Sequence, residues 1–309
     1  MTRVLRLGTR KSALARAQAQ TVADGITERT GQPVELVGVT TYGDVARAPL
    51  AQLSQIGGTG VFVSALRERL LAGEIDLAVH SLKDLPTAGE PGLVVAAVPP
   101  REDPRDVLVA GGGRKLADLP PGARVGTGSP RRAAQLLMLR PDLEVVPIRG
   151  NADTRLGKVT SGEFDAVVLA HAGLARLARL DAVTEVFEPE QMLPAPGQGA
   201  LAAECRADDT STVSALGVLD DAGTRAAVTA ERALLAALEA GCSAPVGAHA
   251  DLAGPGKLDL CAAVLALDGS ASVRLSAAGS PDEAEGLGRR LAADLLAKGA
   301  AALMGGHVH

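Results

Sequence analysis

One cysteine of the chain lies in a turn rather than in an apolar run. Cys242 is part of the Gly/Pro-rich stretch LEAGCSAPVGAHAD at positions 238–251. Most lone cysteines are inert, partly buried thiols, and Cys205 and Cys261, which lie in strand-like runs, fit that description. A thiolate in a loop just beyond a helix end can instead act as a nucleophile or as a point of covalent attachment. We favour this second interpretation for Cys242.

A carboxylate and an ammonium group are neighbours in the segment VHSLKDLP at positions 79–86. Lys83 and Asp84 follow a strand-like run and precede a proline. Asp84 could simply cap a local turn, which is a common role for aspartate. Alternatively, a carboxylate in a cleft with a cation beside it could move protons. The spacing alone supports both interpretations equally.

Two arginines occupy the first turn of a predicted helix in VGTGSPRRAAQL, at positions 125–136. Ser129 is placed to cap that helix, and Pro130 to fill its first position. The helix dipole disfavours cations there, so Arg131 and Arg132 are either a solvated pair at small cost or part of an anion site with the backbone N–H groups. We favour the anion site.

Further arginines follow strands or begin helices. Arg149, Arg155 and Arg176 do so in the same stretch of chain, and Arg10 follows the first predicted strand. Because ligands of open α/β sheets bind at the carboxyl ends of strands, we expect these side chains to converge on one cleft. Several arginines together imply a ligand with several carboxylates or phosphates.

The histidines and cysteines show no metal-ligand spacing. We interpret His80, His171 and His249 as structural and predict no metal site. The three cysteines do not form a disulfide framework.

The elements that must position these side chains alternate between strands and helices, which predicts a mainly parallel α/β sheet. Strand-like runs lie at 4–8, 34–40, 75–81 and 93–98. Ser12 is placed to cap the first helix, and the Gly-rich segment 53–62 is expected to be a mobile loop.

A second α/β pattern begins at PPREDPRDVLVAGGG, positions 99–113, and it includes a strand at 165–170. Beyond Thr224 a long helix is predicted to end at Gly241. Three strand-like runs at 245–252, 257–267 and 271–277 and a helix at about 281–298 follow. This last part predicts a separate small α+β domain.

Composition restricts the class of partner. The chain has 309 residues, a formal net charge of -5, no Trp, one Tyr and three Phe, which argues against nucleic-acid binding by stacking and basic patches. Only six of the 31 basic residues are lysines, and arginine is the residue suited to carboxylates and phosphates. The N-terminus has no apolar signal region and no apolar run reaches membrane-spanning length, so we expect a soluble, reduced, cytoplasmic protein without membrane contact.

Seven segments, in this order along the chain, resemble the porphobilinogen deaminase (hydroxymethylbilane synthase) family. They are LGTRKSALA, HSLKDLP, REDPRDVLV, VGTGSPRR, IRGNADTRL, LPAPGQGALAAECR and EAGCSAPVGAHA. The resemblance extends from about Val4 to the last predicted helix.

The resemblance implies two periplasmic-binding-protein-like α/β lobes with a central cleft, plus a small C-terminal α+β domain. Domain 1 would comprise residues 1–99 with 200–217, domain 2 residues 100–199, and domain 3 residues 218–309. It also implies a transferase that adds four porphobilinogen molecules, with loss of ammonia, to a dipyrromethane cofactor held by a thioether to Cys242. Water would then release hydroxymethylbilane for tetrapyrrole (heme) synthesis. A monomer that passes its product to uroporphyrinogen-III synthase is expected.

The resemblance also implies roles for individual residues. Asp84 and Lys83 match catalytic positions, with Asp84 assisting loss of ammonia, stabilising the cationic azafulvene and handling the pyrrole proton. Positions that match cofactor contacts are Cys242, Ser81, Lys83, Asp84, Thr127, Ser129, Arg131 and Arg132. Positions that match substrate or chain contacts are Arg10, Ser12, Gln18, Phe62, Arg149, Arg155, Arg176 and Gln198. The sequence departs from the common family pattern at Thr59, where many members have lysine, and at Gly128, where many have a hydroxyl residue.

Two other functions would account for part of the pattern. A two-lobed binding protein for a multivalent anion would explain the arginines, but it needs neither Asp84 nor Cys242. A phosphate-handling transferase could use the GTGSP turn, but the chain lacks a Gly-rich loop ending in Lys-Ser/Thr.

Overall fold

The computed structural model describes residues 3–39, 60–240 and 244–304, with the backbone alone at 60–62. These residues form two compact units. Unit 1 contains the described residues of Met1–Arg101 and Ala200–Arg225, and unit 2 those of Glu102–Gly199 and Ala226–His309. The predicted division into three domains stays a prediction.

The first stretch of unit 1 alternates between strands and helices. In chain order its elements are β1 (Leu5–Thr9), α1 (Ala13–Thr30), β2 (Val34–Gly38), α2 (Gly60–Leu71), β3 (Leu77–Ser81) and β4 (Leu93–Ala97), with a 3-10 turn at Leu82–Asp84. Ser12 caps α1 as predicted, since its side chain accepts a hydrogen bond from the Ala15 N–H.

The first stretch of unit 2 repeats this alternation. It contains β5 (Asp106–Ala110), β6 (Arg124–Gly126), α3 (Pro130–Leu139), β7 (Glu144–Val146), α4 (Ala152–Thr160), β8 (Ala166–Ala170), α5 (His171–Arg176) and β9 (Glu185–Val186). Short 3-10 turns lie at Gly111–Gly113, Leu116–Asp118 and Leu180–Ala182. Ser129 caps α3 and Pro130 fills its first turn, as predicted.

The chain then returns to unit 1 with β10 (Leu201–Arg206) and α6 (Thr210–Gly217). The remaining elements are α7 (Ala222–Ala237), β11 (Val246–Leu252), β12 (Leu258–Leu265), β13 (Ser272–Gly279), α8 (Ala284–Ala297) and α9 (Ala300–Leu303), with a 3-10 turn at Pro281–Glu283.

The two α/β sheets share one topology. Sheet 1 has the order β2-β1-β3-β10-β4, and sheet 2 the order β7-β6-β8-β5-β9. In each sheet four strands are parallel, and the second strand from one edge (β10 or β5) is antiparallel to both of its neighbours. Each antiparallel strand follows a passage of the chain from one unit to the other. The prediction of mainly parallel α/β sheets is confirmed.

Aliphatic side chains form the cores. In unit 1, Leu5 and Leu7 of β1 pack with Val22 and Ile26 of α1, and all four are at most 1% exposed. In unit 2, β11, β12 and β13 form an antiparallel sheet whose buried face packs with α7 and α8. The fold class of two α/β parts with a small C-terminal α+β part is therefore confirmed.

The end of α7 differs from the prediction. The helix ends at Ala237 rather than at Gly241, which lies outside the described residues. Glu239 adopts a left-handed φ of 52°, and the Ala240 N–H donates to Leu235 O at 3.2 Å. A glutamate thus takes the terminating position that glycine usually holds, so composition alone pointed to the wrong residue.

None of the helices within the described ranges is long and apolar enough to span a membrane.

Candidate active site

Unit 1 contains a cavity of about 490 Å³, a volume that includes solvent at its mouth. Its polar lining residues are Arg10, Gln18, His80, Ser81 and Asp84. Its apolar lining residues are Ala15, Val63, Leu66 and Val79. A concave site with apolar walls and a few polar groups is the usual form of a small-molecule site.

Sheet topology explains why distant parts of the sequence meet at this cavity. β1 and β3 are parallel neighbours, with Gly8 opposite Ala78, so their carboxyl ends lie at the same edge of sheet 1. Arg10 follows β1 and Ser81 ends β3. Gln18 reaches the same place from α1 and donates to Ser81 Oγ at 2.9 Å.

Asp84 is the last residue of the 3-10 turn that follows β3. The Leu82 N–H donates to Ala200 O at 3.0 Å, and the Leu85 N–H closes the turn on Leu82 O at 3.1 Å. The turn is therefore anchored to the segment that leads into β10. Asp84 and Lys83 are both half-buried, but among the described residues the cavity lining includes Asp84 and not Lys83.

A buried ionic network that was not predicted from the sequence adjoins the cavity. Glu204 of β10 accepts hydrogen bonds from Arg67 of α2, the shortest 2.8 Å from Nη2, and lies 3.1 Å from His80 Nε2. Arg67 Nη1 also donates to Glu90 at 3.2 Å. Burial alone would raise the pKa of Glu204, but His80 and Arg67 lower it. The charge at Glu204, within the otherwise apolar run LAAEC, was the sequence signal for this network.

In unit 2, the two arginines at the start of α3 are buried and pair with Asp106 of β5. Arg131 Nη1 lies 2.7 Å from Asp106 Oδ2, and Arg132 Nη2 lies 2.7 Å from Asp106 Oδ1. Gln198 donates to the same carboxylate at 2.8 Å. The pair is therefore not solvated, and its anion within the described chain is an internal carboxylate. An acid at the start of the buried strand DVLVA was the signal for this partner.

Charge and burial shift the pKa values in this cluster. Burial alone would raise the pKa of Asp106, but the charges of Arg131 and Arg132 hold it well below its usual range. Burial lowers the pKa of Arg131. Two guanidinium groups share one carboxylate, so the cluster retains excess positive charge.

Hydroxyl groups order the backbone before α3. Ser129 Oγ accepts from the Arg132 N–H at 3.4 Å, and Thr127 Oγ1 accepts from the Ser129 N–H at 3.2 Å. Thr127 is buried, whereas Ser129 is half-buried.

The three other arginines of unit 2 that were predicted to bind the ligand differ in their surroundings. Arg155 donates to Gly150 O at 2.9 Å, and its pKa is lowered by burial and then by the charge of Arg132. Arg176 donates to Gly199 O at 2.6 Å, and burial lowers its pKa against the opposing effect of Glu102. Arg149 is exposed.

Some of the positions singled out in the sequence have no described side chain. Cys242 and Thr59 lie outside the described residues, and of Phe62 only the backbone in α2 is described. No group of three or more potential metal ligands occurs within the described ranges. His171 Nδ1 lies 3.9 Å from Asp103, and His249 Nδ1 lies 3.8 Å from Glu231.

Comparison with known proteins identifies the family. The model described as "Porphobilinogen deaminase, dipyromethane cofactor binding domain" matches residues 5–214, and "Porphobilinogen deaminase, C-terminal domain" matches residues 225–297.

Curated relatives match over nearly their whole length. Porphobilinogen deaminase 1 of Streptomyces coelicolor is 61% identical, with 98% of each chain covered. The porphobilinogen deaminase of Thermobifida fusca is 61% identical, covering 96% of this chain and 94% of that protein. The porphobilinogen deaminase of Mycobacterium tuberculosis is 56% identical, covering 99% and 100%.

Solved structures that this chain resembles include the periplasmic aliphatic sulphonate-binding protein of Escherichia coli, with a TM-score of 0.38 and 17% identity, covering 77% of this chain and 71% of that chain. The family models and the curated relatives establish that the chain belongs to the porphobilinogen deaminase family.

Proposed function

We propose that this protein joins four porphobilinogen molecules head to tail on a covalently bound dipyrromethane primer, with loss of ammonia, and releases hydroxymethylbilane by hydrolysis. This transferase reaction is a step of tetrapyrrole synthesis. Family membership supports the reaction, and one structural observation carries its assignment to a site: Asp84 and Arg10 line the same cavity of unit 1.

The cavity lining suits a pyrrole that carries carboxylates. Porphobilinogen has an acetate and a propionate, and a guanidinium such as that of Arg10 binds carboxylates with paired donors. Val63, Leu66 and Val79 offer apolar surface to a ring. In this proposal Ser12 and Gln18 make polar contacts to the substrate, and the Phe62 ring stacks on a pyrrole.

Asp84 is proposed as the catalytic carboxylate. Loss of ammonia leaves positive charge on the substrate pyrrole as an azafulvene cation, and a fixed carboxylate beside that charge lowers the barrier. Lys83 is proposed to assist from the same turn and, with Ser81, to contact the primer.

The primer is proposed to be attached by a thioether to Cys242, with contacts to Thr127, Ser129, Arg131 and Arg132. When bound, dipyrromethane supplies the pyrrole α-carbon that attacks the first substrate unit. The donor set fits a carboxylate-rich group for two reasons. The Asp106 cluster has two guanidiniums for one carboxylate, and Arg131 Nε is buried without a hydrogen-bond partner among the described residues.

The growing chain gains two carboxylates with each added unit, so more cations are needed as it lengthens. Arg149, Arg155, Arg176 and Gln198 are proposed to bind it. The position of Arg155 supports this role, because its charge is destabilised by burial and by Arg132 in the described chain. A carboxylate ligand would offset that cost.

The remaining proposals rest on the family alone. They are the three-domain division given above, a monomeric state, a cytoplasmic location and transfer of the product to uroporphyrinogen-III synthase. Size-exclusion chromatography with light scattering tests the monomer, since a stable dimer would double the measured mass.

The reaction is tested by incubating the purified protein with porphobilinogen and measuring ammonia and hydroxymethylbilane. We expect four ammonia molecules for each hydroxymethylbilane. Binding of porphobilinogen without release of ammonia would contradict the proposal and support a binding protein instead.

A further inference from the structure

The cavity of unit 1 contains a second group that can exchange a proton. His80 lies in β3, is 6% exposed and lines the cavity together with Asp84. Its Nε2 is 3.1 Å from Glu204 Oε2. A histidine whose one ring nitrogen is tied to a carboxylate presents the other nitrogen as a basic lone pair.

The network behind His80 can accommodate a positive charge on the ring. Arg67 faces two carboxylates, Glu204 and Glu90, at 2.8 and 3.2 Å. One guanidinium and two carboxylates leave one negative charge unbalanced while His80 is neutral. Protonation of His80 would neutralise the group, so the carboxylate next to the ring favours the imidazolium that forms when the ring takes up a proton.

Charge stabilisation and proton removal conflict if one carboxylate performs both. Asp84 helps a cationic pyrrole only while it is ionised, and it would lose that charge by accepting a proton. A neutral imidazole in the same cavity removes this conflict, because it can accept the proton while Asp84 stays negative.

We propose that His80 accepts the proton that the terminal pyrrole loses each time a unit is added, an inference that rests on the proposed function. A C–C bond forms between the methylene carbon of the incoming unit and the α-carbon of the terminal pyrrole. The C–H bond at that α-carbon breaks, its electron pair returns to the ring, and the proton goes to His80 Nδ1. The ammonia already released, or water, then removes the proton, so the net products are the elongated chain and ammonium.

The pH dependence of turnover follows from this role. His80 must be neutral to accept the proton, so kcat falls towards acid pH as the ring becomes protonated. Among the described residues, Glu204 from β10 contacts the ring, Arg67 from α2 contacts Glu204, and Arg10 and Asp84 are the charged residues that line the same cavity. Replacing Glu204 with glutamine removes the adjacent negative charge, so the acidic limb should move to lower pH.

The test is the pH profile of kcat in three variants that carry the primer, with primer content measured by mass. We expect His80→Gln to lower kcat about 100-fold with KM within about twofold, and to abolish the acidic limb set by this histidine. Glu204→Gln should lower kcat less and shift that limb to lower pH. His249→Gln, a histidine of β11 in unit 2, is the matched control and should behave as the wild type.

Wild-type kcat and an unchanged acidic limb in His80→Gln would overturn the inference. If His80→Gln does not fold, Glu204→Gln decides alone: a shifted limb supports the role of His80, and an unshifted limb overturns it. A wild-type protein that makes no hydroxymethylbilane would overturn the proposed function itself, which distinguishes the two failures.

Discussion

Two buried acidic residues of this protein pair with basic side chains. Asp106 fixes Arg131 and Arg132, and Glu204 fixes Arg67 and His80. Neither acid was assigned a role from the sequence, although both occur in otherwise apolar runs, DVLVA and LAAEC. Asp84 differs from them, because it is half-buried at a cavity rather than enclosed by arginines.

The first prediction at this scale concerns Asp84. Asp84→Asn removes the negative charge but keeps the shape of the side chain, so the fold should be retained while kcat falls about 100-fold or more. Steady-state kinetics on variant protein of known primer content measures this. Asp118→Asn is the matched control, because Asp118 is also the last residue of a 3-10 turn but is exposed. Turnover close to that of the control would refute the role of Asp84.

The second prediction concerns Asp106 and stability. Asp106→Asn leaves two buried guanidinium groups without their carboxylate, so the free energy of unfolding at pH 7 should fall by about 3–5 kcal/mol. The pKa of Asp106 is lower in the folded state than in the unfolded state. The carboxylate therefore stabilises the fold at pH values above the unfolded pKa of about 4, and this stabilisation is lost as the pH falls below it. The difference between wild type and variant should therefore shrink below about pH 4.

Denaturant unfolding at pH 7 and at lower pH measures the difference in unfolding free energy between the wild type and Asp106→Asn. Asp142→Asn, which changes an exposed acid paired with Arg140, is the control and should have a much smaller effect. A difference that stays constant with pH would contradict the account of the Asp106 cluster.

At the scale of elements, close packing of two helices depends on one glycine. A Cβ atom added to Gly288 of α8 would overlap Ala230 O and lie 2.9 Å from the Leu234 N of α7. Backbone atoms cannot move away as a flexible side chain can, so the two helices would have to separate.

The third prediction compares two glycines of α8. Gly288→Ala should lower the free energy of unfolding by about 1–3 kcal/mol through overpacking. Gly286→Ala is the matched control, since its Cβ would meet only the flexible Arg290 side chain at 3.2 Å, and it should be neutral or stabilise by up to about 1 kcal/mol. Thermal or denaturant unfolding distinguishes them, and equal stabilities of the two variants would refute the packing argument.

The sequence predicted the helices and strands better than it predicted the contacts between distant residues. Alternating apolar runs and capping residues such as Ser12 and Ser129 located the helices and strands, because these signals are local. The ion pairs of Asp106 and Glu204 were missed because they join residues 25 or more positions apart. The end of α7 was misplaced because Glu239 adopts a left-handed conformation that no local rule assigns to glutamate.

For the candidate site, the sequence assigned Ser81 and Asp84 to cofactor contacts and Arg10 and Gln18 to substrate contacts, and the structure brings these four to one cavity. The prediction depended on the family resemblance, since the spacing alone left Asp84 undecided. His80 was interpreted as structural, because a sequence does not show that its side chain lines a cavity.

For the whole molecule, the net negative charge contrasts with a local excess of positive charge in unit 2. The chain is acidic overall, with 36 acidic and 31 basic residues, yet Arg155 and Arg132 repel each other within unit 2. Such repulsion destabilises the unliganded fold and is offset when a polyanion binds.

The fourth prediction follows from that contrast. Arg155→Gln should raise the melting temperature slightly, because repulsion and burial of charge are relieved, and should raise KM about tenfold, since a charged hydrogen bond to substrate is lost. Arg124 is an exposed arginine near Glu144, and Arg124→Gln is the control. It should raise neither the melting temperature nor KM. Unchanged KM in Arg155→Gln would argue against a role in binding the chain.

The central claim is covalent attachment of a pyrrole primer to Cys242, and the intact mass of the freshly purified protein, followed by peptide mapping, tests it most directly. The account predicts a mass increment equal to one dipyrromethane, located on the peptide that contains Cys242 and absent from Cys242→Ala. An unmodified Cys242 that stays unmodified after incubation with porphobilinogen, or an adduct on another residue, would contradict it.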